Sequence, residues 1–134
     1  MVAASGHRHM LDTCVCVQIL RGRSAARDLP PVADCSLSSI VTAELRTGLA
    51  KAPPDAKRSA MLEEFIGIFE IISFDDACSR EYADIRANLE RRGISIGPLD
   101  MLIAAHARQS EAVLITTNMK EFRRVEKLSL LGWK

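Results

Sequence analysis

No run of apolar residues in this chain reaches the roughly 18 to 20 that a membrane-crossing helix needs. The N-terminus also lacks a basic segment followed by an apolar stretch, the pattern of a secretory leader. A chain with neither is expected to stay in the cytoplasm, away from membranes. Charge of one sign is scarce as well. The formal net charge is +1, so composition gives no general electrostatic grip on nucleic acid, and any such contact must be local. Candidate patches are Arg21, Arg23 and Arg27, then Arg91 and Arg92, then Arg123, Arg124 and Lys127; each also suits an ordinary solvated helix or loop. Zinc spacing is missing too: Cys14 and Cys16 have no second cysteine or histidine pair to complete a tetrahedral site. With Cys35 and Cys78 they read as reduced, partly buried thiols rather than as a disulfide framework. There is no Gly-rich phosphate loop, no G-x-S-x-G elbow, no internal repeat and no low-complexity segment.

What is present is enough apolar material for one core. At 134 residues, 48% of them apolar, the chain suits a single domain and is too short for two. Residues 1–9, with His7 and His9, match no packing period. They are expected to form a disordered extension, native or vector-derived, ahead of a domain spanning 10–134.

From there, short apolar runs alternate with amphipathic stretches, the signature of a mainly parallel sheet flanked by helices in three α/β/α layers. A first strand begins around Arg8 and ends at Met10-Leu11, and a helix runs from about Thr13 to Leu20, stopped near Gly22. Cys35 to Leu37 forms a second strand after the Pro30-Pro31 turn, with Ser38 or Ser39 placed to cap a helix that carries Val41, Leu45 and Leu49 and fades at Pro53-Pro54. Leu62, Phe65 and Phe69 recur at helical spacing in a core-packed segment from Asp55 to Phe69. A strand follows over Glu70 to Phe74. Asp75-Asp76 then caps a long helix with a stripe of Cys78, Tyr82, Ile85 and Leu89, ending at Gly93. Pro98 opens the next helix, with Asp100 in its first turn and a nearly all-apolar stretch from Met101 to Ala107. Strands at Val113 to Thr116 and Leu128 to Leu131 complete the pattern, and His106 has the position of a buried, satisfied histidine.

In parallel α/β sheets, ligands bind beyond the carboxyl ends of the strands where strand order reverses. Asp12 directly follows the first strand, Glu44 lies in the first turns after the second, Asp100 opens a helix near the last strands, and Asn118 lies just past Thr116. Singly, each has a plain reading: helix cap, solvated helix residue, dipole partner, turn residue. Together, acids at strand ends among apolar neighbours repel in a partly buried cleft and require a cation. Magnesium prefers oxygen ligands and is commonly held by one or two carboxylates plus substrate phosphate, which makes phosphodiester hydrolysis the natural chemistry.

On these residues the sequence resembles the PIN-domain family, and within it the VapC toxins of bacterial toxin-antitoxin modules. The resemblance rests on MLDT at 10–13, SLSSIVTAELRTG at 36–48, FDDACSREYADIRANLERRG at 74–93, IGPLDMLIAAHA at 96–107 and ITTNMKEF at 115–122, which cover most of the chain from Met10 onward. It implies a metal-dependent endoribonuclease that inhibits translation by cutting structured RNA, with the initiator tRNA anticodon loop as leading substrate. Asp12, Glu44 and Asp100 would hold Mg2+, or Mn2+ in its place, and one of them would orient the attacking water. Thr13 and Thr116 would support them, with Asn118 and Glu121 close by. The implied partners are a VapB-type antitoxin that covers the cleft, a second copy in a homodimer, and operator DNA reached only through the antitoxin. Two departures stand out: Cys14 where the family often has asparagine, and Asn118 where many members carry a fourth acid.

Two rival readings stay open at this point. One is a PIN-like scaffold that binds a partner with little or no catalysis. The other is a magnesium-binding receiver-type signalling module, with Asp75-Asp76 as its acids. That module needs an acidic pair near its first strand and a lysine after a late one; here Asp12 stands alone and Lys120 falls on the turn after Asn118.

Overall fold

The computed structural model describes residues 8–133. Five strands, β1 (His9–Leu11), β2 (Cys35–Ser38), β3 (Glu70–Ile72), β4 (Val113–Thr116) and β5 (Leu130–Gly132), alternate with six α-helices. The helices are α1 (Thr13–Leu20), α2 (Ser39–Lys51), α3 (Ala56–Ile68), α4 (Asp76–Arg91), α5 (Pro98–Gln109) and α6 (Met119–Phe122). The strands form one sheet in the order β3-β2-β1-β4-β5, and every pairing is parallel.

Parallel pairing explains the apolar runs, because strands covered on both faces lose the in-out alternation of a half-exposed sheet. Met10, Leu11, Leu37, Leu114 and Ile115 are all buried, and all four residues of β2 are. Edge strand β3, by contrast, leaves Glu70 and Ile71 exposed. On the helical side, Leu45, Leu62, Phe65, Phe69, Ile85, Leu89 and Ile103 join the same core, with the Phe65 and Phe69 rings edge-on at 5.2 Å.

The helices start where short polar side chains satisfy their unpaired backbone N–H groups. Asp12 caps α1, Ser38 caps α2, Asp55 caps α3 and Asp75 caps α4; Pro98 begins α5, where a missing N–H costs nothing. Helix α4 closes through Gly93 at φ +69, a left-handed conformation that glycine adopts without strain, with the Ile94 N–H returning to the Leu89 carbonyl. Helix α5 is tied to α4 by Arg108, whose side chain is only 11% exposed and donates to Glu81 (2.7 Å) and Asp84 (2.6 Å).

Connectivity places the site. The chain runs from central β1 out to β3 at one edge, then returns through α4 and α5 to β4 on the other side of β1. Strand order therefore reverses between β1 and β4, and the crevice past their carboxyl ends is lined by Asp12 on one side and by Thr116 to Asn118 on the other. The Asp12 N–H bonds the Ile115 carbonyl at 2.9 Å, so the two strand ends stay in register to their last residue.

Several elements differ from expectation. The strand expected from about Arg8 starts at His9, paired with Cys35 and Val113, which the extension reading had also claimed; residues 1–7, with His7, lie outside the described residues. Strand β3 stops at Ile72 because Phe74 turns its N–H to Ser39 Oγ (3.0 Å) and its ring to the edge of His106. Strand β5 is set later than expected, over Leu130–Gly132, with Ser129 contributing only its carbonyl to the Leu114 N–H. Lys120 sits in the one-turn helix α6, which the turn reading missed. Tyr82 is half-buried, and buried His106 has one nitrogen on Ser38 Oγ (2.7 Å) while Nε2 has no partner.

Candidate active site

Asp12 leaves β1 and immediately caps α1, so its carboxylate is fixed by backbone geometry before any tertiary contact acts. Its Oδ1 accepts the Thr13 N–H at 2.8 Å. Its Oδ2 accepts two further donors from the neighbouring strand end and the first helical turn: Thr116 Oγ1 at 2.6 Å and Cys14 Sγ at 3.2 Å. The residue is 4% exposed, so these bonds stand in for water that the charge has lost. Thr116, fully buried, also accepts the Asn118 N–H at 2.9 Å, which sets the course of the chain as it leaves β4.

Glu44 comes from the second turn of α2 and is half-buried. Thr13 Oγ1 donates to its Oε1 at 2.6 Å, joining the starts of two helices across the crevice. Asp100, in the first turn of α5, completes the group. Its carboxyl is pushed up to about 6, first by burial and then by the charges of Asp12, Glu44 and Glu121. A carboxylate at a helix N-terminus ordinarily gains about 0.3 to 1 kcal/mol from the helix dipole. Here burial and the charges of three neighbouring acids outweigh that gain, so Asp100 holds its proton more readily than an ordinary carboxyl. Gly97 is part of the arrangement: a Cβ there would lie 3.4 Å from Asp100 Oδ2.

Glu121 is engaged by Arg124, whose Nη1 bonds its Oε2 at 3.4 Å and the Ser95 carbonyl at 3.2 Å. Asn118 heads α6 and makes no side-chain cap to it. Arg92 is likewise engaged, with Asn88 Oδ1 and the Arg124 carbonyl. Arg21, Arg23, Arg27, Arg91, Arg123 and Lys127 remain on the exposed surface. Asp75 is committed to capping α4 through the Cys78 N–H (3.1 Å).

Whether these acids suit a divalent ion turns on their donor chemistry. They offer hard oxygens only, the preference of Mg2+ and Mn2+. Among the described residues, however, no three His, Cys, Asp or Glu side chains are gathered tightly enough to hold an ion by themselves. The hydroxyls of Thr13 and Thr116 each already bind one carboxylate oxygen, Glu44 Oε1 and Asp12 Oδ2. The set therefore fits an ion that keeps most of its waters and takes one or two carboxylates, and does not fit a closed protein cage.

Spacing along the sequence made Asp12, Glu44 and Asp100 visible. It did not reveal Cys14 as a partner of Asp12, Gly97 as the space beside Asp100, or Arg124 as the holder of Glu121. Only Cys14 carried a signal, its place on the first turn after a strand-end acid.

The PIN domain model matches residues 9–128 of this sequence. Ribonuclease VapC2 of Rickettsia felis is 38% identical over 130 residues, covering 93% of this chain and 97% of its own. The tRNA(fMet)-specific endonuclease VapC of Shigella flexneri is 31% identical over 129 residues, covering 94% and 98%. Among solved structures, VapBC2 from Rickettsia felis bound to a promoter DNA fragment superimposes with a TM-score of 0.88 at 36% identity, over 94% of this chain and 98% of that one. DNA-bound VapBC from Salmonella typhimurium does so with a TM-score of 0.89 at 30% identity, over 95% and 98%.

Proposed function

Because the chain belongs to the PIN-domain family, among its VapC ribonucleases, we propose that it is an endoribonuclease toxin of a type II toxin-antitoxin module. It hydrolyses phosphodiester bonds in structured RNA, with initiator tRNA as its leading substrate, and a VapB-type antitoxin neutralises it. The observation that carries this reading is the position of Asp100, a half-buried carboxyl that feels Asp12, Glu44 and Glu121 at the one rim where strand order reverses. Relatives named for cutting tRNA(fMet), at 31% and 30% identity, support the choice of substrate.

Asp12, Glu44 and Asp100 would hold Mg2+, with Mn2+ able to substitute. A bound divalent ion supplies two things there: charge to offset the phosphate, and a lowered pKa for an attacking water. The chain's own part is orientation. Thr116 Oγ1 fixes Asp12 Oδ2, Thr13 Oγ1 fixes Glu44 Oε1, and burial with the charges of Asp12, Glu44 and Glu121 raises the proton affinity of Asp100. Asn118 and Glu121 would line the rim as supporting residues. The protein would act in the cytoplasm as a homodimer and reach operator DNA only through its antitoxin.

The test is direct. The purified chain, freed of antitoxin, is expected to cleave initiator tRNA with Mg2+ or Mn2+, and chelation or Asp100→Asn is expected to stop it. Induction alone should arrest growth, and sequencing RNA 5′ ends should locate the cut. Cleavage that survives both chelation and Asp100→Asn overturns the metal assignment; unimpaired growth with intact RNA leaves only a binding scaffold.

A further inference from the structure

Asp12 Oδ2 is served by two donors of unequal strength. Thr116 Oγ1 at 2.6 Å is a strong O–H donor to a charged acceptor, while Cys14 Sγ at 3.2 Å is a weak S–H donor. The thiol has a second engagement, accepting the Thr117 N–H at 3.4 Å. Its contact with Thr116 Oγ1 at 3.6 Å holds no further bond if both protons are spent on Asp12. One side chain on the first turn of α1 thus touches the carboxylate, the backbone leaving β4 and the hydroxyl between them.

We propose that Cys14 is a positioning residue for Asp12: by donating to Oδ2 and accepting from the Thr117 N–H, it locks the start of α1 to the end of β4 and fixes which Asp12 oxygen faces the ion. With Oδ2 occupied by two donors and Oδ1 by one, the open lone pair of Asp12 lies on Oδ1. The carboxylate is therefore presented through one oxygen, in a fixed direction. Without the thiol, Oδ2 keeps only the threonine, the Thr117 N–H loses its partner, and the carboxylate is held in its plane by two donors instead of three. The role is local to the ion side of the site and does not reach the RNA.

This inference rests on the metal reading above, and the experiment separates the two. Mn2+ binding to the full chain, freed of antitoxin, is read by electron paramagnetic resonance for wild type, Cys14→Ala, Cys14→Ser and Asp12→Asn, alongside kcat and KM on initiator tRNA. Cys14→Ala is expected to weaken Mn2+ binding about 10-fold, the lower end of what losing a partner of a metal ligand usually costs. It should lower kcat with KM for RNA unchanged. Cys14→Ser, which keeps a donor and an acceptor, should recover most of both. Wild-type Mn2+ affinity in Cys14→Ala, or a serine variant as impaired as alanine, overturns the positioning role. Unchanged Mn2+ affinity in Asp12→Asn overturns the metal reading itself. An alanine variant that fails to fold leaves the decision to the serine variant, which must bind Mn2+ within about 3-fold of wild type.

Discussion

Neutralising Asp100 should make the ion-free protein more stable while ending its response to the ion. The Asp100 carboxyl is pushed from 3.8 to about 6, mainly by burial and then by Asp12, Glu44 and Glu121. At about 1.4 kcal/mol per tenfold change in proton affinity, the full displacement is worth about 3 kcal/mol of folding free energy at neutral pH. Asp100 is half-buried, so solvent screening reduces this to about 1 to 1.5 kcal/mol. A chain of this length has an unfolding entropy of about 0.28 kcal/mol per kelvin, so Asp100→Asn should raise the melting temperature in chelator by about 4 to 5 °C. Mg2+ at ten times its Kd should raise the wild type by about 1.4 kcal/mol, again about 5 °C, and leave the variant where it was. Two thermal melts of each protein, with chelator and with Mg2+, decide the matter. A variant that melts at or below wild type in chelator refutes the claim that the acids burden the empty site. A variant that still gains several degrees from Mg2+ refutes the assignment of Asp100 to the ion.

The same carboxyl gives a pH signature. Folded Asp100 keeps its proton up to about 6 while the unfolded chain releases it near 3.8, so stability in chelator is lost as pH rises between those values. The melting-temperature gap between Asp100→Asn and wild type should open across that window; a gap constant from pH 4 to 7 contradicts it. Thr13→Val removes the 2.6 Å donor to Glu44 and is expected to cut kcat about 10-fold, with Thr13→Ser near wild type, in a tRNA cleavage assay. Gly97→Ala, at a φ of −57 that alanine tolerates, should change stability by less than about 1 kcal/mol. Its methyl would meet Asp100 Oδ2 at 3.4 Å, an ordinary van der Waals contact, so Mg2+ affinity should stay near that of wild type in a calorimetric titration. Arg108→Ala, which unties α4 from α5 far from the acids, should cost about 1 to 3 kcal/mol in urea melts and leave the Mg2+ response intact.

How far sequence reasoning reached depended on whether the physics was local. Helix α1 was read to its residue limits because Asp12 caps it from the adjacent position. The starts of α2, α4 and α5 were read for the same reason, from Ser38 or Ser39, from Asp75-Asp76 and from Pro98, and the caps are Ser38 and Asp75. Edge strands were harder, since β3 ends where Phe74 meets Ser39 and His106, residues 35 and 32 positions away in the chain. His9 was read both as the end of the extension and as part of a strand begun around Arg8, and its pairing on both sides sets it in β1. The same division holds at the site. Asp12 and Asp100 stand out by their positions at helix starts, and Glu44 by lying within the first turns after a strand. The hydroxyls and the thiol that orient them depend on the meeting of α1, α2 and β4, and only the resemblance to a known family brought Thr13 and Thr116 into view.

The division of labour within Asp12 has a practical consequence. One oxygen begins a helix and the other answers to two neighbouring side chains, so an amide in its place would still start the helix while losing the negative charge. On the function proposed above, an Asp12→Asn chain should be an inactive double of the wild type, obtainable in quantity from growing cells. Outwardly the same as the original, it should compete for the proposed antitoxin and release the active form on demand.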